Sequence, residues 1–135
     1  MTEVTLETVF GIPALDDTHK ALFAELDRMK NLADAEFGSA YLRLVDRLER
    51  DFSEEERLME ELEFPGLQSH REQHIRVLAG LHHTQARVMG GDIALGRHTV
   101  DLLEQWLSFH IATMDQALAV AMQLATSSQI ASPAA

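Results

Sequence analysis

The chain has 135 residues, enough for one domain with a single buried core, and it contains no cysteine. That excludes thiolate zinc, iron–sulfur clusters, c-type haem attachment and disulfides, so any bound metal must be held by nitrogen and oxygen. A formal net charge of −11 disfavours nucleic acid and anionic membranes, which repel such a protein, and bound cations would neutralise part of it.

Residues 1–13 mix β-branched residues with Gly11 and Pro13 and are expected to form an extended arm. They include acids and no basic leader segment, and no apolar run reaches membrane-spanning length, so the expected location is the cytoplasm. Asp16, Asp17 and Thr18 supply first-turn acids and caps for a first helix running to about Ala35. Gly38 and Ser39 punctuate the chain, and a second helix is expected to about Leu62. Pro65 and Gly66 break it before a third helix from Leu67 or Gln68 to the Gly90–Gly91 pair. A fourth starts between Asp92 and Ala94 and is expected to end near Ala125, leaving 126–135 as a flexible tail. Connections this short favour an all-α, up-down-up-down antiparallel four-helix bundle over 14–125.

Apolar residues at alternating three- and four-residue steps mark the seam each helix turns to the core. The first seam reads Leu15, His19, Leu22, Leu26, Met29, Ala33, and the third reads Leu67, His70, His74, Val77, Leu81. The fourth reads Val100, Leu103, Leu107, His110, Met114, Ala117, Ala121. The second, Leu44, Leu48, Asp51, Glu55, Leu58, Leu62, sets two carboxylates inward. His70 and His74, at i and i+4, share a helix face and can take one cation together. Any one of these positions by itself reads as an ordinary core histidine or a capped acid. Ligand-type residues on all four seams, with no Lys or Arg opposite the carboxylates, point instead to a metal cluster in the core.

The remaining acids of the run, Glu49, Glu54, Glu56, Glu60, Glu61 and Glu63, read as a solvated helix face. His82, His83 and His98 fall off the seams and read as surface residues. Asp115 follows His110 by five residues, about 140° round an α-helix, and periodicity does not select it.

The strings Asp16-Asp-Thr-His-Lys-Ala-Leu-Phe23, Phe52-Ser-Glu-Glu55 leading to Leu58-Met59, Phe64-Pro65, His70-Arg-Glu-Gln-His74 and Trp106-Leu-Ser-Phe-His-Ile-Ala-Thr-Met-Asp115 together resemble the hemerythrin family, in particular bacterial hemerythrins. The likeness covers nearly all of residues 10–120, in order and spacing. It implies a four-helix bundle with two non-haem iron ions bridged by an oxo or hydroxo group and binding O2 reversibly. Carried over residue by residue, His70, His74 and His110 would bind the first iron and His19 the second, with Glu55 and Asp115 bridging. Trp106, Leu107 and Ile111 match the apolar residues that roof the family's O2 site; as plain bundle packing they need no such role.

One position departs from the pattern. Where the family usually reads His-Phe-x-x-Glu-Glu, this chain has Asp51. Aspartate is a competent but shorter ligand for iron, so either the helix approaches or a water fills the gap. It also makes the ligand set one unit less positive, which favours the oxidised metal and a less secure O2 complex.

A ferritin-like di-iron oxidase needs Glu-x-x-His on two helices, and the residues three before the four seam histidines are Asp16, Leu67, Arg71 and Leu107. A haem bundle or a single structural zinc leaves most candidate ligands unused. The reading that results is an O2 carrier, storage or delivery protein rather than an enzyme. The alternatives are an altered oxidase or peroxidase and an O2 or redox sensor; the sensor ranks lower because sensors usually carry a signalling domain.

Overall fold

The computed structural model describes residues 9–131, which form helices α1 (Pro13–Lys30), α2 (Asp34–Glu61), α3 (Leu67–Met89), α4 (Ile93–His110) and α5 (Gln116–Ala131). A π-helical turn, Ile111–Asp115, joins α4 to α5, so these two make one continuous rod and the molecule is a four-helix bundle. Turns of three, five and three residues, 31–33, 62–66 and 90–92, connect the rods and force successive ones to run antiparallel.

Pro13 opens α1 at a position that needs no N–H. The Asp16 carboxylate accepts hydrogen bonds from the backbone N–H groups of Phe10, Gly11 and Ile12 at 2.8, 2.7 and 3.0 Å, which ties the arm across the start of the helix. The break after α1 comes at 31–33, earlier than the expected Ala35, and Gly38 lies inside α2. Arg97 fixes this turn. Its guanidinium donates to the Leu32 carbonyl at 2.7 Å and to Asp34 at 2.9 Å, and it covers the Phe37 ring at 4.8 Å. A contact from α4 therefore decides the turn, which local composition alone does not.

Gly96 explains how closely α4 approaches α2: a Cβ there would sit 2.6 Å from a Phe37 ring carbon. The main core packs Leu22, Leu26, Met29, Phe37, Tyr41 and Leu44 among the inward residues of α3 and α4. Tyr41 is fully buried, and its hydroxyl donates to the Leu81 carbonyl at 2.8 Å, so its polar end is satisfied. The last helix continues to Ala131, beyond the expected end near Ala125, so the expected tail is helical through 131; residues 1–8 of the arm and 132–135 of the tail lie outside the described residues. No described helix is long and apolar enough to cross a membrane.

Candidate metal centre

All four seam histidines are buried, together with Glu55 and Asp115. One ligand atom from each of Glu55, His70, His74, His110 and Asp115 lies within 4.8 Å of every other. His70 Nε2 is 2.9 Å from Glu55 Oε1, 2.9 Å from Asp115 Oδ1 and 3.1 Å from His110 Nε2. His74 Nε2 is 3.3 Å from Glu55 Oε1 and 3.2 Å from His110 Nε2, which is 3.3 Å from Asp115 Oδ1. Ligands at about 2.1 Å from a first-row ion have cis neighbours about 3.0 Å apart in an octahedron, which is the spacing of these edges.

The fit can be tested on hydrogen bonding. Glu55 Oε1 and Asp115 Oδ1 are buried and have no hydrogen-bond partner, although His70 Nε2 is only 2.9 Å from each. Their distances suit hydrogen bonds and their directions do not. With His74 and His110 donating outward through Nδ1–H, their inward Nε2 atoms and the two carboxylate oxygens are lone pairs facing one another with too few protons between them, whereas a cation satisfies all five atoms at once. The residues present fit a metal.

The other oxygens of the same two carboxylates face a second donor. Asp115 Oδ2 is 3.0 Å from His19 Nε2 and Glu55 Oε2 is 3.9 Å from it. Asp51 stands one turn before Glu55 on α2, half-buried and, among the described residues, without a hydrogen bond or ion pair. Burial pushes its carboxyl up from the ordinary range, against the opposing pull of Arg47 and Arg50. Phe10 of the arm meets the His19 ring edge-on at 6.1 Å and shields this end.

Electrostatics within the metal-free cluster are strong. Burial opposes a charge on His70, but the Asp115 and Glu55 carboxylates outweigh it and raise its pKa from 6.5 to about 9. Burial likewise opposes a charge on Asp115, and His110, His19 and His70 together hold its carboxyl well below the ordinary value.

Behind the cluster, His74 Nδ1–H donates to Glu56 Oε2 at 2.9 Å and His110 Nδ1–H donates to Gln73 Oε1 at 3.0 Å. Both bonds select the tautomer with a bare Nε2 aimed inward. Phe52 stacks on His74 at 3.9 Å with the planes 2° apart, and Trp106 stacks on His110 at 4.4 Å and 13°. Leu107 and Ile111 are buried in the main core. His82, His83 and His98 are exposed, in keeping with their off-seam positions.

Two readings of the sequence need correction. Glu56 is not part of the solvated face: it is half-buried between His74 and Arg71, whose Nε is 3.2 Å from its Oε1. The fourth seam also does not continue through Met114, Ala117 and Ala121, of which Ala117 is exposed and the other two half-buried. The π turn over Ile111–Asp115 absorbs one extra residue, so Asp115 returns to the face of His110 and the seam goes on to Leu118 and Ala119. Gln73 is marked by no periodicity in the sequence. It orients a histidine on a different helix, and no spacing within α3 encodes that.

Comparison with known proteins agrees with this site. The profile of the hemerythrin HHE cation binding domain matches residues 11–121, which span every ligand candidate. The chain belongs to the hemerythrin family. A bacteriohemerythrin from Ralstonia nicotianae is 36% identical over 106 residues, covering 78% of this chain and 77% of its own length. A second, from Methylococcus capsulatus, is 22% identical over 120 residues, covering 86% of this chain and 92% of its own. No solved structure gives a significant match.

Proposed function

We propose that this hemerythrin-family protein binds O2 for carriage, storage or delivery at a non-haem di-iron centre, acting in the cytoplasm. The observation that carries the reading is the division of the two carboxylates. Glu55 and Asp115 each turn one oxygen toward His70, His74 and His110 and the other toward His19. Carboxylates shared in this way suit a pair of ions better than one. His70, His74 and His110 would hold the first iron and His19 and Asp51 the second. Two ferrous ions at such a site supply the electrons with which O2 is held.

The rest is done by the chain itself. Glu56 and Gln73 keep the imidazoles of His74 and His110 turned inward, and Phe52 and Trp106 brace them from the side. Leu107 and Ile111, with Trp106, form the apolar roof proposed for the O2 site, where excluding water limits proton delivery to the bound ligand.

A second reading, an altered oxidase or peroxidase, is favoured by one observation: the unpartnered Asp51 beside His19 and Glu55. An extra carboxylate at that end favours the oxidised metal and shortens the life of the O2 complex.

Anaerobic loading with ferrous iron followed by air tests both. Reversible binding gives a visible charge-transfer absorption that disappears when O2 is removed under argon and returns with air. Absorption that decays once and cannot be regenerated without a reductant supports the oxidase reading. Fewer than two irons per chain at saturation overturns the di-iron proposal.

A further inference from the structure

The chain holds twice as many acidic as basic residues, 22 against 11, so any arginine can find a carboxylate. Six of its nine arginines do, at 4.0 Å or less among the described residues. The three that do not are Arg43, Arg47 and Arg50, and they line one recess. It measures about 270 Å³, lies between α1 and α2, and is completed by Arg28 and Glu25. Arg28 already pairs with Glu25; Arg47 and Arg50 act on Asp51 only from beyond ion-pair distance, so among the described residues the three guanidiniums leave the recess with a net positive charge.

This arrangement works against the isolated fold. Positions 43, 47 and 50 follow the four- and three-residue steps of one helix face, where like charges repel. Arg47 is half-buried and reaches the Ala21 carbonyl of α1 at 3.5 Å, which limits its freedom to swing into solvent. A net charge of −11 makes a positive concavity on this protein an exception in its own field.

We infer that the Arg43–Arg47–Arg50 recess binds the phosphate group of a small phosphorylated molecule. Guanidinium forks match phosphate oxygens bidentately, and a phosphate dianion offsets more of the charge than a single carboxylate does. The recess is large enough for a phosphate or diphosphate group and too small for a large organic ligand. The remaining negative charge of the protein argues against an anionic bilayer as the source of that phosphate.

The test is isothermal titration of the metal-loaded protein with inorganic phosphate and with glycerol 3-phosphate in 150 mM sodium chloride. Saturable one-site binding of both is expected, stronger for the ester if more of the molecule is recognised. Arg47→Gln and Arg50→Gln should each weaken it about five- to tenfold, and the double variant should abolish it. Arg76→Gln, far along α3, should leave it unchanged. Without phosphate the variants should melt at or above the wild-type temperature, because a repulsion has been removed. Phosphate binding that the arginine variants leave intact belongs to the metal centre and overturns the inference. So does an absence of saturation at millimolar phosphate, or binding confined to anionic vesicles or an acidic peptide.

Discussion

Three imidazoles converge on one end of the metal site, and two of them are locked from behind, His74 by Glu56 and His110 by Gln73. At the other end stands a single imidazole, His19, whose Nδ1 has no partner, beside a half-buried Asp51 with no hydrogen bond among the described residues. Two of the first end's three imidazoles are oriented before any metal arrives, His70 Nδ1 having no partner, and that orientation lowers the entropy lost on binding. The second end is held by fewer contacts and offers fewer donors, which on the proposed reading leaves room for an outside ligand. The proposed function thus separates strength from reactivity along the short axis defined by Glu55 and Asp115.

The largest effect should come from breaking what the two ends share. Glu55→Ala should drop metal content below one per chain and lower the melting temperature by on the order of 10 °C, as chelation of the native protein should. Metal analysis and calorimetry on the same samples check this. An unchanged melting temperature in the chelated protein would place the cluster outside the stabilising core.

Changing Asp51 should separate the ends. Asp51→Ala is expected to retain the first metal and lose the second, bringing content from two toward one per chain, with a smaller loss of thermal stability. Asp51→His should keep both metals and prolong the O2-dependent absorption. Equal decay in Asp51→His and wild type, at matched iron, means that Asp51 does not control the chemistry.

Glu56 tests whether rigidity at the first end depends on its outer partners. Glu56→Ala should weaken metal retention about 10- to 100-fold in competition with a chelator. Glu56→Gln keeps an acceptor for His74 Nδ1 and should fall between. The same loss in both variants would mean that the carboxylate's charge matters more than its hydrogen bond.

The metal-free protein should show the same cluster through its pH dependence. His70 is raised from 6.5 to about 9, so its contribution is complete below pH 6.5 and is lost as pH rises through about 9. Asp115 is lowered from 3.8, so its contribution is present above that value and is lost as pH falls through the depressed one. Thermal melts should therefore peak between about pH 4 and 6.5 and decline toward pH 9. The loaded protein should lack the alkaline decline, because metal replaces the proton on His70. The smallest effect is expected at His82, His83 and His98, whose replacement by alanine should leave metal content and melting unchanged.

The helical seams were legible because burial in a bundle imposes a period on each helix separately, and that period placed His19, Glu55, His70, His74 and His110 inward before any tertiary contact was known. Resemblance to a family adds Asp115, which periodicity does not select. The structure gives the reason: a π turn from Ile111 to Asp115 inserts a residue into the register, and a constant 100° step cannot anticipate a change of step. The end of α1 was likewise settled by Arg97, far away in sequence, and not by Gly38. Glu56 and Gln73 show the same limit in the site itself. Each partners a histidine on another helix, so their roles depend on how two helices meet, and that was decided only in the folded bundle.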